Sequence, residues 1–140
     1  MLVSRHVIIS TVFILAFSYL NNFSMAVLAI IFASSILIDF DHYLFYVWRK
    51  KDFSLVRAYK FYMNMERPTV KSGIMIFHTI EFFIFVLLIS FALPWVTFIL
   101  AGMLLHIGLD IYDMKLNKDK RVFSFVKYLV LKIKYPERYL

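Results

Sequence analysis

From Val3 to Tyr46 the chain is dominated by apolar residues, with a polar interruption at Asn21-Asn22. Two further apolar stretches, 73–93 and 95–112, flank Pro94. Each of the four runs has roughly the 17–25 residues a helix needs to cross hydrocarbon. The pattern predicts helices over 3–20, 23–46, 73–93 and 95–112, with Asn21-Asn22 as a turn and Pro94 closing the third. Two other segments read differently. In 52–63, Phe53, Val56, Tyr59 and Met63 recur at helical spacing, with Arg57 and Lys60 elsewhere. In 119–134, Val122, Phe123, Val126, Leu129, Val130 and Ile133 form a stripe flanked by Lys127, Lys132 and Lys134. Both suit helices lying in the headgroup plane, or amphipathic helices packed on a bundle. The expected fold is all-α: residues 1–140 form one integral membrane domain, a four-helix transmembrane bundle with one or two interfacial amphipathic helices.

Composition agrees with the pattern. Of the 140 residues, 62% are hydrophobic, against about 45–50% in soluble domains, and a soluble domain this small could not hide that much apolar surface. The absence of cysteine excludes disulfides, iron–sulfur clusters and thiolate zinc sites. A signal peptide is a competing reading of residues 1–20, with Arg5 as its charged start and Ala16-Phe17-Ser18 as its cleavage site; its removal would leave three spans.

The net charge of +7 is confined. Fifteen of the sixteen basic residues fall within 49–72 and 113–140; Arg5 is the exception. No recognition motif accompanies them, so nucleic acid is not an expected partner. Four spans put both termini and the 49–72 loop on one side, and the uncharged turns on the other. By the positive-inside rule that basic side is cytoplasmic, facing anionic lipid. Counting 1.5 Å per residue, Asp39, His78, Glu81, His106 and Asp110 then all fall in the inner-leaflet half, and His6 opens the first helix on the same side.

These polar groups carry the candidate chemistry. No lysine or arginine lies between His6 and Trp48, or between Ser72 and Tyr112. On insertion scales an acid near the centre of a membrane helix costs about 2.5–3.5 kcal/mol. A bound divalent metal is the expected counter-charge, and histidine is a ligand it would also take. His106 and Asp110, four apart, share a helix face, as do His78 and Glu81, and Asp39 and His42. Asp41 does not, since two residues turn an ideal helix by about 200°; either the helix unwinds near residue 40 or Asp41 acts from behind a ligand. Oxygen-plus-imidazole ligation suits Zn, Mn, Fe or Ni. One or two such ions are expected; four carboxylates would balance two, and a pair of metals is a recurring device for hydrolysing phosphate esters, with a spare carboxylate, Asp41 or Glu81, as general base.

Those residues also carry a likeness. The chain resembles the YdjM-type family of inner-membrane proteins, described as membrane-bound metal-dependent hydrolases. That family has an N-terminal His, then Leu-Pro-Asp-x-Asp-His at the end of a span, then His-Arg-Gly-x-Thr-His-Ser, then Gly-x-x-Ser-His-x-x-x-Asp. His6 looks like the first element. Ile38-Asp39-Phe40-Asp41-His42 matches the second without its proline. His78 aligns with the second His of the third element, whose first His would fall on Gly73. Gly102 through His106 to Asp110 matches the fourth, with Leu105 replacing Ser. The resemblance implies metal binding by these positions and hydrolysis as the reaction. Glu81, one turn after His78, stands to supply the missing donor.

The sequence therefore points to a metal-dependent hydrolase acting on a phosphoester of a lipid or amphiphile at the cytoplasmic leaflet. His6, Asp39, Asp41, His42, His78, Glu81, His106 and Asp110 are the expected ligands, and Arg67, Lys71 or Lys115 would attract the anionic headgroup. The rival classes are a cation or proton transporter, a haem-binding bundle and a non-catalytic metal-binding membrane protein. A transporter would need polar groups across the outer half, where Ser18, Ser34, Ser35, Ser90 and Thr97 are the only candidates.

Overall fold

The computed structural model describes residues 3–21, 23–64, 74–117 and 123–135, which are all-helical without strands. The helices are α1 (Val3–Asn21), α2 (Met25–Leu37), α3 (Phe40–Lys50), α4 (Leu55–Asn64), α5 (Ile80–Ala92), α6 (Val96–Asn117) and α7 (Phe125–Lys134), with a 3-10 turn at Ile76–His78 before α5. Side-chain caps set several starts: Ser24 accepts from the Val27 amide, Ser54 from Arg57, Thr79 from Phe82 and Ser124 from Lys127. Each hydroxyl satisfies one of the amides that a helix start leaves without an intrahelical partner. Lys51, in the left-handed region at φ 53°, stops α3.

Two helical stretches are long and apolar enough to cross a membrane, Met25–Lys50 and Val96–Leu116. Of the other two expected spans, α1 is a helix of 19 residues, and the apolar helix Ile80–Ala92 of α5 is shorter. At 13 residues, α5 is about 20 Å long, short of the roughly 30 Å of a hydrocarbon core.

α6 is the centre of the packing, with α1, α2 and α5 against it; α1 also packs on α2. α2 and α6 approach closely because Gly102 is pressed onto α2, where a Cβ would overlap the Ser34 hydroxyl and the Ile31 carbonyl. One buried cluster joins Ile38, Val86, Val96 and Met103; another joins Ile14, Leu28 and Ile31. Large apolar side chains remain exposed on the outer surfaces, such as Ile8, Val12 and Leu15 of α1 and Ile84, Leu88 and Phe91 of α5.

Three differences from the sequence reading bear on the site. The 23–46 helix is broken: Ile38 and Asp39 form a turn between α2 and α3, and the amides of Asp39 and His42 reach back three residues, to Ile36 and Asp39. That tighter winding changes the rotation between Asp39 and Asp41. The 73–93 helix does not begin at 73: Thr79 is extended at φ −89°, ψ 147° and caps α5. His78 thus sits on the 3-10 turn ahead of the helix, and His78 and Glu81 share no helical face. The 52–63 stripe faces outward, with Phe53, Val56 and Tyr59 exposed. It is Ala58, Phe61 and Tyr62 that turn inward, Ala58 being buried and the two rings contacting Tyr46 and His42. α7 likewise buries none of its residues. Met63, Val122 and residues 118–121 lie outside the described side chains.

Candidate metal centre

Three chain segments converge at one depth. The break between α2 and α3 carries Asp39, Asp41 and His42. The 3-10 turn carries His78. The second half of α6 carries His106 and Asp110, four apart and on one face as the spacing required. His106 is completely buried, Asp110 is 2% exposed and His78 6%, while Asp39 and His42 are half-buried.

The two imidazoles face each other through Nε2, 3.4 Å apart. Asp39 Oδ1 lies 3.5 Å from each of those nitrogens. Asp110 Oδ2 lies 3.9 Å from each. Donor atoms about 2.0–2.1 Å from a tetrahedral zinc stand about 3.3–3.4 Å from one another, so His78, His106 and Asp39 stand at nearly ligand spacing, with Asp110 a little farther from the two nitrogens. Two overlapping triads, Asp39–His42–His78 and His78–His106–Asp110, have the geometry to hold a metal ion.

The opposite edges of both rings are fixed. His106 Nδ1 donates to the Ser35 carbonyl at 2.7 Å, and His78 Nδ1 donates to Asp41 Oδ2 at 3.1 Å. Asp41 Oδ2 also accepts the Phe77 amide at 2.9 Å, which locks the 3-10 turn to α3. With each Nδ1 carrying the proton, each Nε2 presents a lone pair to the centre. Metal-binding histidines are oriented in this way, by a carbonyl or carboxylate on the far nitrogen.

Asp41 therefore stands behind His78. Its other oxygen takes His42 Nδ1 at 2.9 Å, so both oxygens are engaged and neither is left for the general-base role expected of it. The unwinding near residue 40 and the supporting role, alternatives in the sequence, are both present. His42 is held on its Nδ1 edge by Asp41, with Asp39 at 3.4 Å, and its ring meets Tyr62 and His78 edge-on. Among the described residues nothing bonds its Nε2.

Glu81 is directed elsewhere, which corrects its expected place as ligand and base. Its carboxylate accepts from Ser124 Oγ at 2.7 Å, the Phe125 amide at 2.9 Å and the Val126 amide at 3.2 Å. It caps α7, where negative charge also suits the helix dipole. The Ile80 amide adds a bond to the Phe123 carbonyl at 2.8 Å. His6 belongs to the start of α1, but its side chain lies outside the described set, as do Arg67 and Lys71; Lys115 is exposed on α6.

Three contributors carried no sequence signal as site residues. The Ser35 carbonyl and the Phe77 amide are backbone groups. Tyr62, whose hydroxyl donates to the His42 carbonyl at 2.7 Å, looked like one more aromatic residue of an amphipathic helix. Burial, aided by the nearby Asp41 carboxylate, pushes its phenol above the usual range. Thr79, a hydroxyl residue directly before an apolar run, carries a helix-start signal that the 73–93 reading passed over.

Fold and site together define an all-helical apolar protein with a buried histidine–aspartate cluster able to hold a metal ion. No protein-family model, curated protein or solved structure matches the chain.

Proposed function

We propose that this is an integral membrane protein whose cluster holds one divalent ion between His78, His106, Asp39 and Asp110, and that it hydrolyses a phosphoester of a lipid or amphiphile at the cytoplasmic leaflet. The metal reading is carried by one observation: two buried imidazoles whose Nδ1 atoms already donate meet Nε2 to Nε2 at 3.4 Å, flanked by two carboxylates. Lone pairs at that distance repel unless a proton or a metal cation lies between them, and oxygen-plus-imidazole surroundings suit the metal. Two carboxylates also balance one divalent charge, and among the described residues no lysine or arginine forms an ion pair with them.

A divalent ion in such a site lowers the pKa of a bound water and polarises a phosphoryl oxygen. The chain's own part is orientation and proton handling. Asp41 aims His78. Asp41 also holds His42 so that its Nε2 is left to take a proton, and the carboxylate steadies the imidazolium that results. His42 thus replaces Asp41 and Glu81 as the general base. The half-buried side of Asp39 and His42 is where substrate and water would enter.

The membrane setting draws on the two long apolar helices, the exposed apolar surfaces of α1 and α5, and the outward stripes of α4 and α7 with their lysines. If α1 and α5 cross with the two longer helices and the basic segments are cytoplasmic, the cluster would lie in the inner leaflet, and the resemblance to the YdjM-type family favours hydrolysis. A transport path is disfavoured by the outer-half hydroxyls. Ser18, Ser34, Ser35, Ser90 and Thr97 each donate to a carbonyl three or four residues back, so none has a free proton to pass along a relay.

Elemental analysis of detergent-purified protein tests the metal centre. About one divalent ion per chain is expected in the wild type, and a large loss in His106→Ala and Asp39→Asn. Wild type carrying no more metal than the variants would overturn the proposal. With metal bound, release of phosphate from a lipid phosphomonoester in mixed micelles tests the reaction. Metal without turnover would reduce the protein to a metal-binding one.

A further inference from the structure

Beside the cluster lies an apolar groove of about 350 Å³, a size at which small-molecule sites begin. Ala33 and Leu37 of α2 with Ile38 of the following turn form one wall, Phe77 and Phe82 the other, and Ile99 and Met103 of α6 line it between them. Its inner end is built by the segments that carry the ligands. Ile38 directly precedes Asp39, Phe77 directly precedes His78, and Met103 lies one turn before His106. Leu37 and Trp95 line the groove and are more than half exposed, so it opens on the outer, apolar surface of the bundle.

We infer that this groove seats one acyl chain of a membrane phospholipid and thereby presents the lipid's phosphate head to the His78–His106–Asp39–Asp110 cluster, an assignment that rests on the metal-centre reading above. Three features favour a single hydrocarbon chain over other occupants. From Trp95 to Met103 the groove follows about 12 Å of α6. Counting all the open space within it, about 750 Å³, that length gives a mean cross-section of about 60 Å². A helix 10–12 Å across needs roughly 80–110 Å², so neither a partner helix nor a second copy of this chain enters. The lining also offers little to a sugar or sterol hydroxyl: Ser34 gives its proton to the Ile30 and Ile31 carbonyls of its own helix at 2.8 and 3.1 Å, and the only other side-chain polar group there is the indole N–H of Trp95. Finally, an anionic phosphate is the head that a cation at the inner end would draw.

The test uses the full chain, loaded with zinc, in nanodiscs containing phosphatidic acid with a diazirine partway along one acyl chain. After illumination, label is expected in the peptides bearing Leu37, Phe77 and Met103, above that on the outer face of α5 at Ile84, Leu88 and Phe91. Ala33→Trp fills the groove from an exposed position and Leu37→Trp does so independently. Displacing even two methylenes lowers chain affinity by about tenfold, so groove labelling should fall by that order in both variants while zinc content stays at the wild-type level. Equal labelling in wild type and the filled variants, or label spread evenly over α5 and the groove, would overturn the assignment with the metal centre intact. Groove labelling in a wild type that binds no zinc would overturn the metal reading instead, and with it the pairing of head and cluster.

Discussion

Replacing Asp41 by asparagine keeps the side-chain volume and removes one charge from a residue only 6% exposed. The carboxylate takes three contacts: the Phe77 amide and His78 Nδ1 on Oδ2, and His42 Nδ1 on Oδ1. Asparagine has one oxygen to share. With its NH2 toward Phe77 and His78, two buried donors would be left facing a donor, at about 1–3 kcal/mol each. The oxygen therefore stays on that side, and the NH2 turns to His42. His78 keeps its orientation but exchanges a charge-assisted bond for a neutral one of roughly half the strength, so its Nε2 becomes a weaker donor to metal. Loss of such a supporting partner typically costs 10–100-fold in metal affinity, about 1.4–2.7 kcal/mol. His106→Ala removes a donor outright and should cost more than about 100-fold. Chelator competition for zinc, in one detergent and with circular dichroism to confirm helicity, reads both. Asp41→Asn binding within roughly twofold of wild type would refute the orienting role; a loss as complete as that of His106→Ala would make Asp41 a ligand. The NH2 now facing His42 Nδ1 also forces the proton onto Nε2, so hydrolysis by Asp41→Asn should fall even at saturating zinc.

Glu81→Gln should loosen α7 and leave zinc affinity unchanged: hydrogen exchange at the Phe125 and Val126 amides is expected to rise by about tenfold or more, since a bond to a charged acceptor contributes about 1.5–3 kcal/mol. A fall in zinc affinity would return Glu81 to the centre. Gly102→Ala forces a Cβ onto Ser34 and the Ile31 carbonyl and should destabilise by about 1–3 kcal/mol in detergent thermal melts. Gly108→Ala, which meets nothing within 4 Å, is the control and should be neutral or better. At the α3–α4 corner, Arg57 grips Asp52 at 2.6 and 2.7 Å and Tyr46 donates to the same carboxylate. Arg57 first, then Tyr46, holds that carboxyl well below the usual range. A depressed folded-state pKa stabilises fully above the unfolded value of about 3.9 and is lost as pH falls through the folded one. Proteolytic nicking of the α4 segment should therefore be the same at pH 5 and pH 7, and higher in Asp52→Asn at both.

The sequence by itself determined the helical, apolar character of the chain, because composition and run length are local properties. It also determined the His106–Asp110 pair, since four residues on an unbroken helix leave no freedom about which face they share. The same rule failed where the helix was not continuous. Asp39, Asp41 and His42 straddle a turn, and His78 is carried by a 3-10 turn that Thr79 separates from Glu81. Which carboxylate faces the cluster and which supports it was therefore a question of backbone path, not of spacing. Only the tertiary structure could settle it, because the deciding partners lie far along the chain: Asp41 reaches His78 across 37 residues, His106 reaches the Ser35 carbonyl across 71, and Glu81 reaches Ser124 across 43. A carboxylate spends its charge on whichever donors the packing brings to it. For Glu81 that was the start of α7, whereas Asp39 and Asp110 meet a pair of inward-facing imidazoles.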